Sequence, residues 1–416
     1  MQPAQGARRK KKVSIAQSQA SEKLNFSRSG PRDMHAQQRY ARDRGVHWDE
    51  GLGGWIVASF DGVRRVMSNP GRFTSEGLPT SEAFGSQAML VTDSPIHHKL
   101  RGAWAEKMST PGVAQLEAQI ETFIKQAFEH EFEALNRGEA ADLVPGFWGI
   151  TSRVISYLMD TPFESAAQFI AVNKILSDGA TIPVEKGSPR YQEREAAKAK
   201  VFDFLRPIVE ERRAALASGE KRTDLISLIA ALQDSDGVTE QMVLDNLLNL
   251  YLGAFETTAL WMGNIAIRIY EDKALNAALR ADPALIPNAC EEIMRIDSVV
   301  QLNMRIVRTD TELDGTKMKA GDRVFVMQGA ANRDPAVFED PERFDIHRHV
   351  KLHLGFGFGF HQCLGQFLAR LEARLFVKYI LHTFPELVFE EKDFGRSWDV
   401  NGPHKLVARR PGILQS

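Results

Sequence analysis

The stretch richest in usable chemistry is Phe356-Gly-Phe-Gly-Phe-His-Gln-Cys-Leu-Gly365, a glycine-rich loop that carries a cysteine into the helical pattern of Leu368, Leu371 and Leu375. Gly357, Gly359 and Gly365 let the backbone turn tightly and approach a flat ligand. The loop amides and the positive end of the following helix favour a thiolate at Cys363. Such a sulfur can serve as an anionic metal ligand. Three other uses compete. The thiol could be a buried structural group in an ordinary turn. It could bind zinc, although Cys363, His361 and His353 fall short of a closed tetrahedral set. It could act as a nucleophile, but a histidine nearby in sequence is not thereby its base. Spacing alone leaves these open.

A second candidate lies in Leu252-Gly-Ala-Phe-Glu-Thr-Thr-Ala259, where Glu256 and Thr257 interrupt an otherwise apolar surface. A charge in such a place needs a reason. In the bland reading Glu256 faces solvent and Thr257 bonds back to a carbonyl one turn earlier. In the chemical reading the two form an acid–alcohol pair that delivers protons. Two weaker signals are helical pairs. His97 and Arg101 stand four apart after Asp93-Ser-Pro-Ile, a helix start, and either line a solvated face or meet an anion. Glu292 and Arg295, three apart, have the spacing of an intrahelical ion pair.

The elements that must position these groups are mostly helical. Apolar residues recur at three- and four-residue steps in 114–136, 196–216 and 365–383. From about Glu240 to Tyr270 there is neither proline nor a cluster of turn residues, which predicts one helix of roughly 45 Å. Strand pairs are predicted from Val46 to Phe60, around Gly51, Gly53 and Gly54, and at Asp314-Gly315, between RIVRTDTEL and RVFVMQ. The stretch Gly179 to Pro189, with Pro183, Gly187, Ser188 and Pro189, reads as an exposed connection and a candidate lid. Residues 1–30, including the run Arg8 to Lys12, read as a flexible basic arm, and 31–416 as one domain. The fold class is mainly α with small β-sheets.

Composition narrows the function classes. With 43% hydrophobic and 25% charged residues the chain has the balance of an ordinary folded protein, and a formal net charge of −2 argues against nucleic-acid binding. Two cysteines, Cys290 and Cys363, exclude a disulfide framework and point to a reducing, cytoplasmic compartment. No run of roughly 20 apolar residues suggests a membrane span, so a soluble protein is expected.

The cysteine loop resembles, at every specified position, the haem-binding signature Phe-Gly-x-Gly-x-His-x-Cys-x-Gly of the cytochrome P450 family. The resemblance runs in order from about Val46 to Val407. It implies one triangular domain with haem b buried between the long helix and the helix after Cys363. Cys363 becomes the proximal iron ligand, whose donated electron density favours O–O cleavage. Phe356 packs beside the thiolate. His97, Arg101, Arg305 and His361 meet the haem propionates, with Gly357 and Gly365 shaping the cofactor loop. Glu256 and Thr257 match the family's acid–alcohol pair, although Ala254 replaces the usual second glycine and Gly253 precedes it. Glu292 and Arg295 match its Glu-x-x-Arg element, and Arg343 the arginine that completes a buried structural network.

By the same resemblance the chain is a monooxygenase of bacterial type. It takes electrons from NAD(P)H through external partners, a ferredoxin reductase and a ferredoxin, and oxidises a small, mostly apolar substrate. The walls are expected from Phe84 to Val91, above all Met89 and Leu90, with Leu250, Gly253, Ala254, Val299, Val300 and Leu302. Lys107, Arg370 and Arg374 form a candidate docking patch, and a monomer is expected. A peroxide-driven or rearranging enzyme would lack the proton pair, and a haem sensor or carrier would need no reductase. The intact Glu256–Thr257 pair favours the monooxygenase.

Overall fold

In the computed structural model, residues 31–177, 180, 184–348, 352–395 and 399–412 are described. The basic arm lies outside them, as do residues 179 and 181–183 of the candidate lid. One helix dominates the architecture. Glu240–Glu271 runs unbroken for 32 residues, about 48 Å. Thr239 starts it by accepting a hydrogen bond from the Met242 amide, with Glu240 in the first turn. It stops at Asp272, whose side chain turns to cap the next helix through the Leu275 amide. Every residue from Thr258 to Ala266 is buried, Trp261 among them, so it is an axle of the core rather than a surface helix.

Val144–Met159, Phe163–Ser177, Pro189–Ala217 and Gln366–Thr383 pack around it. Together they enclose one large apolar core in which Trp104 donates its indole N–H to the Leu225 carbonyl at 2.8 Å. The fold is mainly helical with small sheets to one side.

The larger sheet has five short strands in the order His47–Asp49, Gly54–Val57, Arg323–Val326, Asn303–Val307 and Phe73–Thr74. The first pair is the hairpin predicted around Gly53. Its second strand ends at Val57 rather than Phe60, because Ser59 caps a helix that begins at Phe60. At Asp314-Gly315 both residues take positive φ, 50° and 78°, as a tight primed turn requires. That turn closes a two-stranded ribbon of Thr311–Leu313 and Thr316–Met318, while the longer runs on either side pair with each other in the main sheet. Among the described residues no helix is long and apolar enough to cross a membrane.

Candidate active site

The cysteine loop runs into the N-terminus of Gln366–Thr383. The Cys363 amide donates to the Phe356 carbonyl at 2.8 Å, and the Gly357 amide to Leu354 at 2.9 Å, closing the loop on itself. Gly359 has φ +74°, and a Cβ there would meet the Met67 carbonyl oxygen at 2.7 Å, so only glycine lets the loop lie against that backbone. The Phe356 ring is sandwiched beneath the loop, 4.2 Å from the Arg370 guanidinium and 5.6 Å from the Trp261 ring.

Cys363 itself opens onto a cavity of about 1290 Å³ that runs beneath the long helix. Its side chain is reachable from that cavity although protein surrounds it. Burial pushes the thiol up, opposed by the Gly365 amide and by the Arg101 and Arg370 charges. Among the described residues no cluster of three histidine, cysteine or acidic side chains could hold a metal, which removes the zinc alternative there. Cys290 is wholly buried, and burial raises its thiol as well.

His97, Arg101, Arg305 and His361 converge on the same cavity from three separate elements. Among the described residues the Arg101 guanidinium has no hydrogen-bond or ion-pair partner, and Arg305, 5% exposed, donates only to its neighbour's carbonyl, Met304 O, at 2.7 Å. Burial lowers both, Arg305 to about 10. One buried and one half-buried guanidinium with donors to spare make a receptor for anionic groups.

The two histidines are already engaged. His97 Nδ1 faces the Met89 carbonyl at 2.8 Å and Nε2 the Phe360 carbonyl at 3.0 Å. Both are acceptors, and burial depresses the imidazole, so a neutral ring donates to only one of them. His361 lies 4.3 Å from His97, ring centre to ring centre, with Nε2 3.1 Å from Ser75 Oγ and 3.4 Å from Asp93 Oδ1. Burial holds it down at about 4. Asp93 does not cap the helix that starts beside it. Its carboxylate instead accepts from Thr74 Oγ1 at 2.5 Å and Arg308 at 2.7 Å.

Glu256 and Thr257 line the cavity from the long helix. Thr257 Oγ1 donates to the Gly253 carbonyl at 2.9 Å, the back-bonded arrangement, and the helix continues through Ala254 without a break. All eight wall residues read from the sequence, Met89, Leu90, Leu250, Gly253, Ala254, Val299, Val300 and Leu302, line the same space. Sequence reasoning missed Trp148, Ile155, Ile175, Asn249 and Lys174, whose helical spacing marks a face but does not separate cavity from solid core. It also missed Glu372, a fully buried carboxyl on Gln366–Thr383.

Glu292 and Arg295 are wholly buried and paired through both carboxylate oxygens, at 2.7 and 2.8 Å. The third member of the network differs from the expected one. The Arg343 side chain is 68% exposed and reaches only Asp345, contributing just its backbone carbonyl. Arg348 takes the place instead, donating to Glu292 Oε1 at 3.1 Å, because the turn after Asp345, whose own amide binds Glu292, folds that side chain back inward. The candidate docking patch also shrinks. Arg370 is held bidentately by Glu291 at 2.8 and 2.9 Å, so its charge is matched, leaving Lys107 and Arg374.

Comparison with known proteins agrees with this geometry. The family model described as Cytochrome P450 matches residues 56–399. Cytochrome P450(BM-1) of Priestia megaterium is 32% identical over 356 residues, covering 82% of this chain and 84% of its own. Cytochrome P450 monooxygenase PikC of Streptomyces venezuelae is 30% identical over 355 residues, covering 83% and 81%. The crystal structure of CYP109E1 from Bacillus megaterium in complex with testosterone aligns with a TM-score of 0.80 at 26% identity, covering 92% of this chain and 100% of that one.

Proposed function

Because the chain belongs to the cytochrome P450 family of monooxygenases, we propose that it holds haem b on Cys363 and oxidises a small, mostly apolar organic molecule, hydroxylation being the simplest outcome. Electrons come from NAD(P)H through a ferredoxin reductase and a ferredoxin, and Lys107 and Arg374 offer the remaining positive charge for docking. Residues 31–416 act as one haem-binding unit, and the protein works as a soluble cytoplasmic monomer.

The observation that carries this reading is the shared cavity: a cysteine sulfur on one wall, a half-buried and a buried arginine short of acceptors among the described residues at its edge, and an acid–alcohol pair on the long helix. The arginines fit the carboxylates of a haem. Arg101, without a partner among the described residues, would take one propionate, and Arg305, His97 and His361 would take the other or share it. When bound, the haem supplies reductive activation of dioxygen and transfer of one oxygen atom to the substrate.

This chain's own side chains do the rest. Phe356, pressed between Arg370 and Trp261, keeps water from the sulfur, and the Gly365 amide stabilises its negative charge. Glu256 holds a proton at its carboxyl and passes it inward. Thr257 Oγ1, whose hydrogen is committed to Gly253, accepts that proton on a lone pair and releases its own when it rotates. The apolar faces of Met89, Leu90, Val299, Val300 and Leu302 exclude water and orient an apolar substrate.

The test is the absorption spectrum of the dithionite-reduced protein with carbon monoxide. The red-shifted Soret band of a thiolate complex is expected. A band at the shorter wavelength of a neutral ligand refutes thiolate ligation, and no haem band at all refutes the function.

A further inference from the structure

The segment that carries Met89 and Leu90 is irregular, yet it is tied to the long helix by two buried polar residues that the oxygen chemistry does not use. Asp245 is 2% exposed and Asn246 is wholly buried, more than two turns before Glu256. Asp245 Oδ2 accepts the Gln87 amide at 2.8 Å, while its other oxygen is held by Gln241 Nε2 at 2.7 Å. Asn246 Oδ1 accepts the Met89 amide at 2.9 Å, and its Nδ2 donates to Met242 O at 2.7 Å and to Gln87 O at 3.5 Å. Thr239, which caps the helix, adds a 3.2 Å bond to the Gln87 side chain.

Contact is close enough to require glycine on the loop side. Gly85 has φ +93°, and a Cβ there would lie 2.6 Å from Asp245. Two consecutive helix residues thus replace, for Gln87 and Met89, the backbone partners that a loop cannot supply. The other side of Met89 is engaged as well, since its carbonyl oxygen lies 2.8 Å from His97 Nδ1. The wall residue is therefore fixed at its amide by the long helix and at its carbonyl by a residue of the cofactor edge.

We infer that Asp245 and Asn246 are positioning residues for substrate selection: they set where Met89 and Leu90 stand in the cavity, and so which apolar molecules fit. This rests on the monooxygenase reading for what the cavity binds, but the anchor itself can be tested without it. Leaving a buried amide without its acceptor weakens the anchored state by an amount worth about tenfold or more in an equilibrium.

The experiment has two parts, both on the full-length, haem-loaded protein. Hydrogen–deuterium exchange of the wild type should show the Gln87 and Met89 amides protected to the level of the long helix; N246A should release the Met89 amide and D245A that of Gln87. Spectral titration should show that N246A changes the affinity ratio of clotrimazole to 1-phenylimidazole by tenfold or more. Imidazole, too small to reach the wall, should bind as before. D245N, which keeps an oxygen for the Gln87 amide, should stay near wild type, and D245A repeats the test should N246A not fold.

Fast exchange of the Gln87 and Met89 amides in the wild type overturns the anchor. Released amides with an unchanged affinity ratio, or an equal loss for all three ligands, overturn its role in selection. Failure of the monooxygenase reading would register separately, as a missing thiolate spectrum in the wild type.

Discussion

Glu372 offers a test of the interior that needs no substrate. It is 3% exposed, faces the cavity from the helix after Cys363, and makes no hydrogen bond or ion pair among the described residues. Burial pushes its carboxyl up from 4.5 to about 8. The unfolded chain releases this proton near its ordinary value, whereas the folded protein keeps it. Folding therefore takes up a proton between the two. The stability is fully present below about pH 4.5 and is lost progressively as pH rises towards 8. At pH 7 the gap of about 2.5 units amounts to about 3 kcal/mol. For a chain of 416 residues, with an unfolding entropy of about 0.9 kcal/mol/K, that is about 4 °C in Tm. E372Q keeps the shape and removes the ionisation. Differential scanning fluorimetry of both proteins should show their Tm values drawing together near about pH 5 and the wild type falling about 4 °C behind at neutral pH. Parallel curves across this range would falsify the assignment, since the carboxyl would then ionise as freely in the fold as outside it.

Three further perturbations address the site and its frame. R101L should speed haem transfer to an apomyoglobin trap roughly 10–100-fold by removing a charge-assisted partner of a propionate, and an unchanged rate places the anion elsewhere. T257A should let oxygen consumption continue while product formed per NAD(P)H falls severalfold, and E256Q should slow turnover roughly 100-fold; unchanged coupling in both means that protons take another route. R348A should cost about 3 kcal/mol in urea unfolding, because it leaves the buried Glu292 half-matched, whereas R343A should stay within about 0.5 kcal/mol; the reverse order would restore Arg343 to the network.

What the sequence made legible were features whose cause is local. The long helix follows from an uninterrupted pattern with a threonine cap, and the turn at Asp314-Gly315 from residues that tolerate positive φ. The cysteine loop is legible because its glycines are needed one by one, as Gly359 against the Met67 backbone shows. What stayed hidden depends on distant chain. Whether Arg343 or Arg348 meets Glu292 is decided by how an irregular segment turns, and neighbouring arginines look alike in sequence. Glu372 reads as the polar face of an amphipathic helix until the fold covers that face. Asp245 and Asn246 look like solvent-side positions, and only the loop lying across them shows otherwise.

The distances along the chain that close the cysteine loop bear on how the protein is made. His97 contacts the Phe360 backbone across 263 positions, and Ser75 contacts His361 across 286. A ribosome adding roughly 5–20 residues per second needs about ten to fifty seconds to travel from His97 to Cys363. For that interval the nascent chain carries the walls of the pocket without the sulfur that closes it. On the haem-thiolate reading, capture on sulfur waits until residue 363 has emerged. Until then an apolar shell stands open to chaperones, proteases and other nascent chains. On that reading cofactor supply acts late, after Cys363 has been made, where it decides how much polypeptide becomes enzyme and how much is degraded.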